Sequence, residues 1–286
     1  MTTQTVRRRR RSPTAIAAQA GIYVILIGIA ILVLIPMFWV YATAFKNRIE
    51  IAATPLAWPK EPTLQNFVDA WVKGRLGKYF LNSVIVTIPI VAFTVSFASL
   101  AGYAFARHTF AGRNAIFYLF LVGLILPFQS IMIPLYYTLL NFGLLGTYWA
   151  MIVPSTALGL PFGIFIMRAF FQGLPYELSD AARVDGCNEF GVFWRVVLPL
   201  AKPGMITLSI FVFLNAWNSF LLPLLYLQRE ALRPLVVGLM FFQSRYTTDY
   251  ALTMAGATIV SLPVLILYAI FQRQFIQGLT AGALKG

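Results

Sequence analysis

The sequence predicts an all-α integral membrane protein with six transmembrane helices, and three observations carry the prediction. Its 286 residues are 59% hydrophobic and only 11% charged, whereas a soluble domain covers its surface with roughly a quarter of charged residues. Five long stretches, 12–45, 79–106, 114–167, 203–228 and 250–272, contain no charge, and each is long enough for the about 20 apolar residues of a bilayer-crossing helix. Finally, Arg7 to Arg11 form a basic block just before the first stretch, the flank that the positive-inside rule places in the cytoplasm.

The first span runs from Gly21 to Ala44. It is too long for a signal-peptide core of about 7–15 residues, so it is expected to stay in the mature protein. Residues 1–20 then form a basic cytoplasmic tail and residues 21–286 a single transmembrane domain. The second stretch holds one span, where Ala98, Gly102 and Ala106 recur at four-residue spacing and allow another helix to pack closely. The third stretch is long enough for two spans, joined at Asn141-Phe142-Gly143-Leu144-Leu145-Gly146, where asparagine and glycine favour a turn. The last two stretches hold one span each.

With the N-terminus inside, thirteen of the 22 basic residues fall on the cytoplasmic side, and six of the remaining nine lie in or beside the long first loop, where the charge rule is weaker. Both termini are therefore placed in the cytoplasm. Prolines recur within the spans at 89, 127, 134, 154, 161, 223 and 263. They fit either tight packing in one bundle or kinked helices that rock during transport.

Several function classes lose support. The net charge of +13 could suggest nucleic acid, but the basic residues are terminal or scattered through loops, with no stripe interleaved with aromatics. Single residues of cysteine and histidine, Cys187 and His108, permit neither an internal disulfide nor a histidine metal cluster. No span interior contains a charged residue, which argues against proton or ion coupling, although neutral and backbone ligands can bind sodium. A membrane enzyme would want paired carboxylates or an activated nucleophile, and none is visible. Gly74-Arg75-Leu76-Gly77-Lys78 lacks the spacing of a phosphate-binding loop, so energy from ATP has to come through another polypeptide.

Attention then falls on the loop 174–199, between the fourth and fifth spans, which carries four of the nine acidic residues: Glu177, Asp180, Asp185 and Glu189. It reads as two short helices about a glycine turn. Pro175 suits a helical first turn, Glu177 and Asp180 favour the positive end of the dipole, Gly186 suits a left-handed helix terminus, and Asn188 can cap the next helix. Ala181 and Ala182 are small enough to let a neighbouring backbone approach. Such short helices need packing partners, either the bundle's own ends or a groove on another protein.

This loop resembles the EAA motif of permease subunits in binding-protein-dependent ABC importers, through Asp180-Ala181-Ala182, Gly186 and Leu198-Pro199, with Asp in place of the usual Glu. Asn82-Ser83, Tyr103-Ala104-Phe105-Ala106-Arg107, Phe110-Ala111-Gly112-Arg113, Trp217-Asn218-Ser219-Phe220 and the ending Gly278 to Gly286 are similar to the carbohydrate branch, and within it to MalG-like subunits of maltose-type systems. The resemblance implies the type I ABC importer permease fold. It also implies a second, different permease subunit, two copies of a cytoplasmic ATPase that bind ATP and magnesium, an extracytoplasmic sugar-binding protein, and a bacterial or archaeal cytoplasmic membrane. This chain would hold no cofactor and catalyse nothing. Glu177, Asp180, Ala181, Ala182, Asp185 and Gly186 would form the coupling helix seated in the ATPase, with Gly282, Lys285 and Gly286 as a second contact.

Asn215, Trp217, Asn218 and Ser219 bring amides, a hydroxyl and an indole into the fifth span. Two readings are open: contacts to the hydroxyls and rings of a carbohydrate, or polar glue between helices.

Overall fold

Residues 13–242 and 249–283 are described by a computed structural model, and among them there are helices and turns but no strand. Helix α1 (Pro13–Ala44) is followed by two short helices, α2 (Arg48–Ala53) and α3 (Gln65–Val72). Next come α4 (Leu76–Arg107), α5 (Arg113–Val122), α6 (Phe128–Asn141) and α7 (Trp149–Gln172). The loop 174–199 contributes α8 (Glu177–Val184) and most of α9 (Glu189–Leu200), which carries a π-helical turn over Val192–Val197. The chain then forms α10 (Lys202–Trp217), α11 (Leu221–Tyr226), a short α12 (Leu235–Gly238) and α13 (Tyr250–Ala283).

The centre of the bundle is the pair α4 and α7, with α10 against both. Small residues bring these backbones together. A Cβ on Gly102 would sit 2.8 Å from the Met167 Cβ, and one on Gly163 would sit 2.7 Å from the Ala98 Cβ. Ala98 and Ala106 are buried on the same face of α4, so the four-residue spacing marks this contact, as expected where helices associate by close van der Waals packing. A second core lies at the far end of the bundle from the 174–199 loop. There Ala44, Ala70, Leu76, Tyr79, Trp217 and Leu235 pack together.

That far end is tied by side chains that donate to loop carbonyls. Asn82, 3% exposed, donates to the carbonyls of Ala231 and Arg233, both at 2.9 Å, and accepts from the Tyr148 hydroxyl at 2.7 Å. Ser83 accepts from the Leu235 amide at 2.8 Å. Lys46 is fully buried at the end of α1, and its Nζ donates to Thr54 and Pro55 carbonyls at 2.9 and 3.1 Å. A buried ammonium is tolerable because these carbonyls replace part of its hydration.

The spans differ from expectation in two places. The first half of the stretch 114–167, read as a single span up to the turn at Asn141, is two helices separated at Gly123–Pro127. Pro127 stands in extended geometry before α6, and proline disfavours helical geometry in the residue that precedes it. The helix before Trp217 is likewise short: α9 and α10 meet at 72°, and the chain breaks again before α11. Among the described residues four helices, represented by Gln19–Ala44, Leu76–Arg107, Trp149–Gln172 and Tyr250–Gln274, are long and apolar enough to cross a membrane, and a fifth is reached if the bent pair counts as one. Helix α1 also begins at Pro13, so residues 13–20, allotted to the tail, continue the first helix. From Gln19 to Phe38 it is exposed on all sides.

Candidate functional site

The 174–199 loop is held to the bundle by Arg107 at the end of α4. Its Nη2 donates to the Leu174 carbonyl at 2.7 Å, and the guanidinium lies 4.1 Å from the Tyr176 ring centre. Below the loop, Phe193 packs into an aromatic cluster with Tyr103 and Phe171. Pro175 lies before the cap residue Tyr176 and outside the first turn of α8, while Glu177 and Asp180 are in that turn.

The turn after α8 has the hydrogen bonds of a left-handed helix terminus. Gly186 has φ +85°; its amide donates to the Arg183 carbonyl at 3.0 Å and the Cys187 amide to that of Ala182 at 2.9 Å. Together these satisfy two carbonyls that the helix end leaves open. Asn188 then caps α9, accepting from the Gly191 amide at 2.8 Å. Arg183 spans the turn, with Nη1 2.6 Å from Asp180 and Nε 2.8 Å from Glu189. The hydrogen bond from Arg183 holds the Glu189 carboxyl below its usual range, with further help from the charges of Arg183 and His108, against a smaller opposing effect of burial. His108 has its Nε2 3.9 Å from Glu189.

Ser179 and Ala182 face the bundle, while Glu177, Asp180, Ala181, Asp185 and Gly186 are exposed. Beside them, Leu178, Val184, Phe190 and Trp194 present a solvent-facing apolar surface, with Val184 88% exposed. Lys285 and Gly286 lie outside the described residues, and Gly282 falls where only the helix backbone is described.

A second site lies within the bundle, in a cavity of about 760 Å³ between α6, α7, α10 and α11. Asn215, Asn218 and Ser219 line it, together with Gln129 and Ser155. Trp217 faces the other way. It is 2% exposed, donates its indole N–H to the Val260 carbonyl at 3.1 Å, and stacks on Phe213. Sequence reasoning missed Gln129 and Ser155. Each is a polar residue within two positions of a proline in an apolar stretch, a signal that the sequence itself carries. The role of Arg183 as a bridge across the turn was also missed, since three-dimensional proximity of residues 180 and 189 depends on how the glycine turn folds.

The loop helix leaves an apolar, acid-rimmed face exposed at one end of the bundle, and a half-open cavity lies between the helices. Residues 95–280 match the family described as binding-protein-dependent transport system inner membrane component, and the chain belongs to that family. It is 36% identical to the probable ABC transporter permease protein YurM of Bacillus subtilis, over 94% of this chain and 89% of YurM. It is 37% identical to the arabinooligosaccharides transport system permease protein AraQ of Halalkalibacterium halodurans, over 90% and 93% of the two chains. Identity to the diacetylchitobiose uptake system permease protein NgcG of Streptomyces coelicolor is 36%, over 92% and 88%. The fold is that of type I ABC permeases. It superposes with a TM-score of 0.81 on a chain from the crystal structure of a bacterial ABC transporter involved in the import of the acidic polysaccharide alginate, at 20% identity, covering 93% of this chain and 99% of that one.

Proposed function

We propose that this chain is one of two different permease subunits of an ATP-driven importer that carries a carbohydrate across a bacterial or archaeal cytoplasmic membrane. In this reading residues 21–286 form one transmembrane domain with six crossings and both termini in the cytoplasm, the broken pair α5 and α6 forming the third crossing. The sugar arrives from an extracytoplasmic binding protein. Asn215, Asn218 and Ser219 stand on the pathway through the cavity, and Trp217 holds the end of α10 that carries them. ATP and magnesium are bound by two copies of a cytoplasmic ATPase, not by this chain.

The observation that carries the reading is the outward face of α8. Glu177, Asp180, Ala181, Asp185 and Gly186 are exposed beside the bare side chains of Leu178 and Val184, while Ala182 anchors the helix from below. Short helices need packing partners, and among the described residues α8 has them on its inner face only. A cleft of the ATPase seated over the outer face would move α8 as a lever when the ATPases close. The C-terminal residues Gly282, Lys285 and Gly286 form a second contact in the same assembly.

Val184→Arg tests this directly, because the side chain touches nothing that folding requires. Sugar uptake is expected to fall at least about tenfold, the effect of roughly 1.4 kcal/mol at the contact, with membrane insertion unchanged. Uptake equal to that of the parent would overturn the coupling role of α8.

A further inference from the structure

The cavity wall contributed by this chain has a definite chemistry. Among the described residues that line it, none carries a charge or titrates near neutral pH. The polar groups are carboxamides and hydroxyls: Gln129, Ser155, Asn215, Asn218 and Ser219. The rings of Phe128, Phe162, Phe211 and Phe220 lie between them.

The two asparagines are oriented by their own helix. The Asn215 Nδ2 donates to the Phe211 carbonyl and the Asn218 Nδ2 to the Leu214 carbonyl, both at 2.9 Å. A backbone carbonyl only accepts, so the amide nitrogen has to face it and the Oδ1 acceptor is turned outward. Asn215 and Asn218 are three residues apart and therefore share a helical face, and both are exposed to the cavity. Trp217 fixes this face, since its indole bond to Val260 and its edge contact with Phe80 pin the same turn to α13 and α4.

We infer that this subunit's wall of the pathway selects uncharged oligosaccharides and disfavours acidic ones. This rests on the carbohydrate-importer reading and narrows its substrate class. A sugar hydroxyl both donates and accepts, so it can satisfy an outward Oδ1 or a serine hydroxyl. The apolar faces of sugar rings fit against phenylalanine. A carboxylate or sulfonate only accepts, and in a wall of neutral carboxamides, hydroxyls and rings it would lose its water without gaining a cation. The volume of about 760 Å³ lies in the upper part of the range for small-molecule sites, and it suits more than one ring.

The test uses the complete importer, with its own binding protein, in proteoliposomes. ATP-driven uptake is measured for arabinotriose, diacetylchitobiose and maltotriose, and for digalacturonate as the acidic probe. Uptake of at least one neutral probe, exceeding that of digalacturonate tenfold or more, is the expected result. Uptake of digalacturonate alone would overturn the inference while leaving a carbohydrate importer in place. No saccharide uptake, with no ATPase associated, would instead overturn the importer reading.

The wall itself is tested with the variant Asn215→Leu/Asn218→Leu, which keeps volume and removes both acceptors. Neutral-sugar uptake should fall at least tenfold in a complex that still purifies with all its subunits. Asn218→Ser provides the second arm. A serine hydroxyl can donate to the Leu214 carbonyl, as Ser209 does to Met205 at 2.7 Å, and still offers lone pairs to the cavity. This variant should keep a third or more of parental uptake. Parental uptake by the leucine pair, or a serine variant as defective as that pair, would overturn the role of these residues.

Discussion

At Gly186 the requirement is conformational and not steric. Its φ is +85°, yet a Cβ there would meet nothing within 4 Å. Left-handed backbone costs most residues roughly 1–2 kcal/mol, and asparagine less than others. Gly186→Val is therefore expected to abolish uptake while the chain still inserts, and Gly186→Asn to retain about half or more, as measured by sugar uptake in cells. Equal activity of the two variants would remove the turn from the mechanism. Asn82 presents the opposite case, a side chain whose value is its hydrogen bonds. Asn82→Leu would remove the donor to the Ala231 and Arg233 carbonyls and lose the Tyr148 bond, at about 1 kcal/mol for each hydrogen bond lost. The purified complex should then inactivate at a clearly lower temperature than the parent. Gly186 was legible in the sequence because a glycine after a short helix has one common use. The partners of Asn82 lie some 66 to 151 positions away, and no local pattern reports such distances.

Among the elements, α8 and α9 act as a unit because Arg183 bonds to carboxylates on both sides of the turn. Glu189 is held below its usual value of 4.5 chiefly by the Arg183 hydrogen bond. A depressed carboxyl stabilises the fold fully above its unfolded value and ceases to do so as pH falls through the lower, folded one. Amide exchange over 177–197, corrected for intrinsic rates, should therefore rise relative to the rest of the chain below about pH 4. Arg183→Gln should show that higher exchange already at neutral pH. Identical exchange in parent and variant would mean that the bridge does not order the loop. The α4–α7 seam is the other element-scale device. With 2.8 Å between a Cβ at Gly102 and that of Met167, Gly102→Leu cannot be accommodated without moving a backbone, and overpacking of this kind costs about 1–3 kcal/mol or more. Folded protein recovered from the membrane should fall accordingly. The sequence displayed this seam through its spacing of small residues. It did not display the break at Gly123–Pro127, because prolines occur in intact helices of the same bundle, at Pro89, Pro154 and Pro161, and only packing decides which of them interrupts its helix.

For the whole molecule, the surface left bare says what kind of assembly completes it. Helix α1 is exposed on every side from Gln19 to Phe38, and only lipid or another apolar chain can cover such a surface in a membrane. The cavity is half open between α6, α7, α10 and α11, and the proposed second permease would complete its wall. Helix α8 offers its outer face at one end of the bundle. These three surfaces point to different neighbours, and a homo-oligomer would have to satisfy all of them with one sequence that has no phosphate-binding loop. Purification in mild detergent from the native operon, followed by quantitative mass spectrometry, should recover one different permease for each copy of this chain and an ATPase at twice that amount. Because α8 is the proposed ATPase contact, Val184→Arg should lower the recovered ATPase without lowering the second permease, which docks through the membrane surfaces. Recovery of this chain as a homo-oligomer without an ATPase would make ion-coupled transport the leading reading, since neutral side chains and backbone carbonyls of a broken helix can hold a driving ion in place of an intramembrane charge.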